Sequence, residues 1–251
     1  MMKTTSDTPL ISVVSPMLDE RRRVGTSLRS MLAQECEGLE HIIVDGGSTD
    51  GTLETVEKYA AEASFPVRIL RDVRGGVYAA LNAGIEASSG RYVALLHGSD
   101  SFTGPDILAS AVRLLEESGA DLLYGDLHYV NTGGRRVRYY SGSRFRPQLL
   151  LDGFMPPHPT VIVRRELFDT IGLYSTRYRI SGDFDWLCRA LLLGKVSSVY
   201  LPRDMVEMAD DGISCRWSSR LWGNNRDKYL ALRSNGFKIS PLRLLKRYLY
   251  L

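Results

Sequence analysis

Arg91-Tyr-Val-Ala-Leu-Leu-His-Gly-Ser-Asp-Ser101 is the stretch that decides the fold. Tyr92 to Leu96 is a short, unbroken apolar run, which suits a strand covered on both faces rather than one with a wet side. It stops abruptly at His97-Gly98-Ser99-Asp100, where the residues become small, polar and acidic. In an open α/β sheet, ligands are received just outside the carboxyl ends of such strands. Asp100 is therefore the first candidate functional residue.

Working outward from it, residues 10–100 alternate between strand and helix patterns. Leu10 to Val14, His41 to Val44 and Pro66 to Leu70 read as strands. Arg21 to Ala33, a segment beginning near Thr52, and Val77 to Ala87 read as helices, with Thr49 or Asp50 placed to cap the second. This βαβαβαβ order predicts an α/β fold with a mostly parallel central sheet and flanking helices. Beyond it, a helix is expected from about Asp106 to Glu117 and a strand at Leu122 to Tyr124. A hairpin is expected around Gly133-Gly134, a strand at Thr160 to Val163, and helices at 165–174 and Asp183 to Leu193. Asp210 to Ser214 reads as a loop, and the segment 205–215 is expected to close over a ligand.

The totals narrow the function classes. A chain of 251 residues with 44% apolar and 24% charged residues is an ordinary soluble composition with room for a sizeable core. Its three cysteines, Cys36, Cys188 and Cys215, are too few and too scattered for a disulfide framework or a zinc site. The opening MMKTTSDTPL lacks the apolar core of a signal peptide, and no run approaches the roughly 18 apolar residues of a membrane span. A cytoplasmic location is expected. The net charge of +3 hides an asymmetry: residues 216–251 carry nine Lys or Arg and one acid, Asp227. That segment predicts a basic, amphipathic, helical C-terminal tail suited to an anionic membrane surface, and hence peripheral attachment to its inner face. A solvated helix face is the plainer reading, and no nucleic-acid partner is expected.

Three acids stand at element ends: Asp45 closes the second strand, Asp100 the fourth, and Asp183 opens a late helix. Adjacent strand ends in a parallel sheet lie about 4.8 Å apart, so Asp45 and Asp100 are able to face one pocket if their strands lie close in the sheet. Carboxylates together with phosphate oxygens suit a hard divalent ion, which would neutralise the charge developing on a diphosphate leaving group. A separate carboxylate is suited to deprotonating an acceptor hydroxyl. The set fits glycosyl transfer. No GxxxxGK[ST] loop is present, nor a GxGxxG after the first strand, which argues against Walker-type phosphotransfer and dinucleotide redox chemistry.

Five motifs carry a family resemblance in order. They are Ser12-Val-Val-Ser-Pro16 with Asp19-Glu20; Ile42-Ile-Val-Asp-Gly-Gly-Ser-Thr-Asp-Gly-Thr52; Gly76-Val-Tyr78 with Leu81-Asn-Ala-Gly84; Leu96-His-Gly-Ser-Asp100; and Ser181-Gly-Asp-Phe-Asp185. Over roughly residues 10–215 the chain resembles family 2 glycosyltransferases, and among them bacterial enzymes that build exopolysaccharide, capsule or O-antigen. The resemblance implies a GT-A fold, an inverting mechanism, a nucleotide-diphosphate sugar donor (a UDP-sugar is expected) and Mg2+ or Mn2+. It implies a saccharide or lipid-linked saccharide as acceptor. It also implies a domain over 8–215, with a nucleotide-binding half at 8–100 and an acceptor-binding half at 101–215, followed by the tail at 216–251.

Position by position, the resemblance sets Pro16, Asp19 and Glu20 beside the nucleotide and Asp45 at its base or ribose. Asp100 would hold the metal, Asp183 would be the catalytic base, and His158 would stand near the diphosphate or acceptor. Trp186 is a candidate sugar platform, with a core aromatic as the equal alternative. The departures are local. Ser99 stands where relatives carry a second acid, and Arg74 and Ala79 occupy two further acidic positions, so weaker metal binding and an unusual donor choice are expected. These departures keep a catalytically weakened nucleotide-sugar-binding protein as the alternative, with a nucleotidyltransferase as another.

Overall fold

The computed structural model describes residues 9–210 and 224–249. Its spine is a pair of strands with no exposed residue, β1 (Ile11–Met17) and β2 (Leu39–Asp45). Successive side chains of a strand point to opposite faces. Val14, Ile42 and Val44 accordingly pack with α3 (Val77–Ala87), while Val13 and Ile43 pack on the other face with α1 (Val24–Leu32), α2 (Thr52–Glu62) and α4 (Ile107–Ser118). With helices on both faces these strands are mostly apolar, and the polar side chains they do bury are bonded to one another or to a neighbour, Ser12 to Glu40 and His41 to Ser15 and Tyr59.

β1 pairs in parallel with β2 and with β4 (Tyr92–Leu95), and β2 with β3 (Val67–Leu70). The local order is therefore β3-β2-β1-β4. The chain steps outward from β1 to β3, then returns across β1 to lay down β4, so the winding reverses between β1 and β4. The crevice outside the carboxyl ends of those two strands is where a ligand is received in such a sheet.

The sheet continues through β8 (Ile162–Arg164), β6 (Leu122–Val130), β9 (Ser198–Ala209) and β5 (Ser101–Phe102), with β7 (Arg136–Tyr140) paired to β6. Here β8 is antiparallel to β4 and β6, β5 to β9, and β7 to β6, while β9 runs parallel to β6. The α/β sheet with flanking helices is as expected, parallel over its first four strands and mixed beyond them. The hairpin at Gly133-Gly134 forms as β6–β7. The twelve-residue β9, the longest strand described, had no counterpart in the sequence pattern.

Helices α5 (Glu166–Thr170) and α6 (Gly182–Leu187) complete the second half of the described residues, and α6 runs on into a π-helical stretch, Cys188–Leu193. The described part of the C-terminal segment, α7 (Asn224–Ser234) and a 3-10 helix at Pro241–Leu249, packs onto this half. Lys228 Nζ donates to the Gly153 carbonyl at 2.8 Å and lies 4.7 Å from the Phe184 ring centre. Asn235 Nδ2 donates to Asp185 Oδ1 at 2.8 Å, and Arg243 pairs with Asp152 at 2.6 Å. Of the 205–215 segment expected to close over a ligand, 205–209 is the end of β9, and 211–215 lies outside the described residues.

Candidate active site

The rim at the β1/β4 reversal is built by loops that fasten to one another. After β1 the backbone enters the left-handed region at Asp19 (φ 54°), a conformation Asp tolerates better than most residues. Asp19 Oδ1 accepts the Thr49 N–H at 2.9 Å, and the Asp19 N–H donates to Ser48 Oγ at 3.0 Å. The Glu20 N–H donates to Thr52 Oγ1 at 2.8 Å and the Arg21 N–H to Asp50 Oδ2 at 3.0 Å. Asp50 thus works as a turn and cap residue, since its Oδ1 also accepts the Thr52 N–H at 2.9 Å. The loops after β1 and β2 are consequently fastened to each other by four hydrogen bonds.

Asp45 is 3% exposed, and its carboxylate accepts the N–H groups of Gly47 (2.9 Å) and Ser48 (3.1 Å). In this arrangement its work is to order its own loop. Pro16 lies in β1 opposite Val44, and its carbonyl accepts the Gly98 N–H at 3.4 Å. Arg74 is largely exposed and paired with Asp72 at 3.0 Å.

Asp100 is the most constrained of the candidates. It is 2% exposed, and its Oδ2 has no hydrogen-bond partner. Burial first, and then the charge of Glu20, push its pKa up to about 8, against the lowering effect of the Ala209 N–H and Arg23. Glu20 comes this close because residue 98 is glycine: a Cβ there would sit 3.0 Å from Met17 Cγ and 3.2 Å from Glu20 Cγ. A buried carboxylate with an unused oxygen beside a second acid is a site that favours a cation. Among the described residues no cluster of three His, Cys, Asp or Glu side chains is able to hold a metal ion. The residues present therefore fit a divalent ion only as a one-carboxylate site completed by phosphate or water oxygens. Ser99 is half-buried beside it.

A second group faces the same turn. Asp183 lies in the first turn of α6, half-buried; its Oδ1 accepts the Phe184 N–H at 2.8 Å and lies 3.3 Å from the Tyr78 hydroxyl. Gly182 makes this approach possible, because a Cβ there would fall 2.9 Å from Tyr78 Cε2. His158 is 9% exposed, neither ring nitrogen has a partner, and its ring meets Tyr174 edge-on at 5.9 Å. Burial lowers its pKa, with Asp183 pulling the other way. His97, half-buried, is pushed down to about 4 by burial and then by His158, again opposed by Asp183. Asp183, His97 and His158 thus interact electrostatically. The His97–Asp100 turn, closed by the Asp100 N–H donating to the His97 carbonyl at 2.9 Å, links them to the buried carboxylate.

Trp186 is a correction. It is fully buried, its Nε1 donates to the Gly172 carbonyl at 2.8 Å, and Phe168 (5.1 Å) and Tyr174 (5.9 Å) pack around its ring. No ring face is left for a sugar, because the helix turn that opens Asp183 to solvent directs Trp186 into the core. Conversely, Tyr78 and Lys228 border the site without having been singled out. Tyr78 had a signal, its place in Gly76-Val-Tyr78; Lys228 had none, being one cation among many in the tail.

Comparison with known proteins places the chain. Residues 12–179 match the model described as "Glycosyl transferase family 2". A PGL/p-HBAD biosynthesis glycosyltransferase of Mycobacterium bovis is 34% identical over 182 residues, covering 72% of this chain and 69% of that protein. Among solved structures, S. aureus TarS 1-349 in complex with UDP-GlcNAc superposes with a TM-score of 0.72 at 18% identity, over 96% of this chain and 73% of that one. The mannosyltransferase PcManGT of Pyrobaculum calidifontis, in complex with GDP-Man and Mn2+, gives 0.69 at 18% identity, over 98% and 71%. At that identity the two structures speak for the fold.

Proposed function

Since the chain belongs to glycosyl transferase family 2 and is a glycosyltransferase of glycan biosynthesis, we propose that it transfers a sugar with inversion from a nucleotide-diphosphate donor to a saccharide or lipid-linked saccharide. The observation that carries this reading is the unpaired Oδ2 of buried Asp100 at the β1/β4 reversal, with half-open Asp183 acting on His97 at the start of the same turn. Pro16, Asp19, Glu20, Asp45, Arg74 and Ser99 surround the donor in this reading. Asp45 acts by shaping its loop, and Arg74, by swinging off Asp72, offers a cation to a phosphate. A UDP-sugar is the favoured donor.

Asp100 would hold a Mg2+ or Mn2+ ion together with diphosphate oxygens; when bound, the ion neutralises charge on the departing diphosphate. Asp183 takes the proton of the acceptor hydroxyl. The acceptor oxygen forms its bond to the anomeric carbon on the face opposite the nucleotide, and the bond from that carbon to the diphosphate oxygen breaks. The electron pair leaves with the nucleoside diphosphate. His158, kept neutral by burial, is placed to hydrogen-bond the diphosphate or the acceptor. No helix of the described residues is long and apolar enough to cross a membrane. The basic C-terminal segment fits peripheral attachment to an anionic membrane, on the cytoplasmic side.

A thermal-shift screen of nucleotide-sugars with and without Mn2+ tests the donor. A ligand at a hundred times its dissociation constant adds roughly 2.7 kcal/mol of stability. Stabilisation by one nucleotide-sugar, lost in Asp100→Asn, supports the reading, and no stabilisation by any of them removes it. The positions of Ser99, Arg74 and Ala79 favour one second reading, a donor-binding protein with weakened turnover. Metal-dependent release of nucleoside diphosphate separates the enzyme from it.

A further inference from the structure

Among the large apolar side chains exposed on the described residues, Leu18, Leu32, Val77, Leu193 and Leu230 stand singly, as scattered surface apolar residues do, and Val137 and Tyr139 form a pair on β7. The 3-10 helix Pro241–Leu249 differs. One side of it is docked: Leu244 (1% exposed) packs over Gly153, and Arg243 is held by Asp152. Its other side presents Leu242 (74%), Leu245 (50%) and Leu249 (77%) to solvent, with Tyr248 beside them. A helix docked by one side and apolar on the other has a second partner to satisfy.

The charges around it identify that partner. Lys238 and Lys246 flank the leucines, and Arg144 and Arg146 lead into the 3-10 helix Pro147–Asp152 on which this one sits. All four are exposed, and none has an acidic partner among the described residues. A second copy of the chain meeting this face about a twofold axis would set like charges against like. A nucleic acid would match the charge but leave the leucines wet. Leucines framed by Lys and Arg match an anionic bilayer surface, where acyl chains receive the one and lipid phosphates the other.

We propose that the outer face of Pro241–Leu249, with Arg144 and Arg146, lies on an anionic phospholipid surface. This deepens, and rests on, the membrane-directed part of the reading above. The same C-terminal segment grips α6, through Lys228 over Phe184 and Asn235 on Asp185, so the helix that carries Asp183 is joined through α7 to the lipid-facing element. A lipid-linked acceptor reaching the site from the bilayer would approach from that side.

Flotation of the full chain with vesicles tests this without donor, acceptor or turnover, so it fails or succeeds separately from the catalytic reading. The vesicles are phosphatidylcholine alone, or phosphatidylcholine with about one part in three phosphatidylglycerol. The expected result is flotation with the anionic vesicles at low salt, lost at high salt and at least about tenfold weaker on pure phosphatidylcholine. Leu245→Ser with Leu249→Ser, both at exposed positions, should weaken it about tenfold or more while keeping the thermal shift given by the donor. Arg144→Glu with Arg146→Glu should weaken it by at least about 25-fold, at roughly fivefold per basic residue. Wild-type affinity in the leucine variant, equal binding to both vesicle types, or a dimer in solution that the leucine variant dissociates would each overturn the proposal.

Discussion

Tyr78 and Asp183, 105 residues apart in the chain, meet where α3 passes under the start of α6: the Tyr78 oxygen lies 3.3 Å from Asp183 Oδ1 and donates to the Ile180 carbonyl of the same turn. Burial, reinforced by the charge of Asp183, raises the phenol's pKa well above its ordinary value, so it stays protonated and remains a donor. The tyrosine therefore fixes the loop that presents the carboxylate, while Asp183 stays half open.

Asp183→Asn should lower transfer by about 100-fold to 10,000-fold, the usual contribution of a positioned general base, and leave donor binding intact. Tyr78→Phe should do less: kcat falls several-fold, donor affinity holds, and stability drops by about 1 kcal/mol for the lost hydrogen bond. Steady-state kinetics beside donor titration by calorimetry reads both. Near-normal turnover in Asp183→Asn would take the base role from it.

In the proposed reading Asp100 holds function at the expense of stability. A carboxylate 2% exposed, with one oxygen unpaired and an acid nearby, is costly to keep in a fold. Asp100→Asn should therefore be neutral or stabilising by about 1 kcal/mol while abolishing metal-dependent release of nucleoside diphosphate. A clear loss of thermal stability in this variant, measured without ligand, would mean that the carboxylate is a structural group.

These relationships differ in how far the sequence discloses them. Strands buried on both faces leave unbroken apolar runs, so Val13-Val14, Ile42 to Val44 and Tyr92 to Leu96 could be read, and with them the rim where Asp45 and Asp100 stand. The role of Asp45 was also local, since Asp-Gly-Gly-Ser is a turn in which a carboxylate accepts the following N–H groups. β9 was not legible, because Pro202, Arg203, Asp204 and Glu207 interrupt it and its ladder with β6 shifts register twice. Nor was the fate of Trp186, which depends on Phe168 and Tyr174 arriving from other elements, or the approach of Glu20 to Asp100, which depends on what Gly98 leaves open. Local sequence shows where a strand ends in an acid, and only tertiary packing determines what that acid faces.

His158 separates a packed histidine from a working one. Its ring touches Tyr174, yet neither nitrogen is bonded to protein. His158→Phe retains the ring contact and removes only the nitrogens, so stability should hold or rise by up to about 1 kcal/mol, since a buried polar group without partners is lost. Activity should fall at least about tenfold if those nitrogens bond the diphosphate or acceptor. A variant equal to wild type in kcat and KM would return His158 to the core.

His41 should set much of the acid sensitivity of the fold. It is fully buried, its ring nitrogens lie 2.6 Å from the Tyr59 hydroxyl and 2.8 Å from Ser15 Oγ, and burial pushes its pKa from 6.5 down to about 3. Between those values the unfolded chain binds a proton that the folded chain refuses. Stability therefore falls as pH drops from 6.5, by about 1.4 kcal/mol per unit once well inside the window. His97 and His158, also depressed, add to the slope with the same sign. Glu40 enters lower. Its burial would raise its pKa, but hydrogen bonds from Ser12, Ser89 and Gly90 bring it below 4.5, so its contribution is present above that pH and is lost only beneath it. Between 4.5 and 6.5 the histidines are opposed by Asp100, whose pKa, raised to about 8, makes stability rise as pH falls through that interval, so the contribution of His41 is read from the difference between variant and wild type. His41→Gln should start less stable at neutral pH and show a visibly flatter dependence of Tm on pH across that interval. A slope unchanged from wild type would assign the acid sensitivity to other groups.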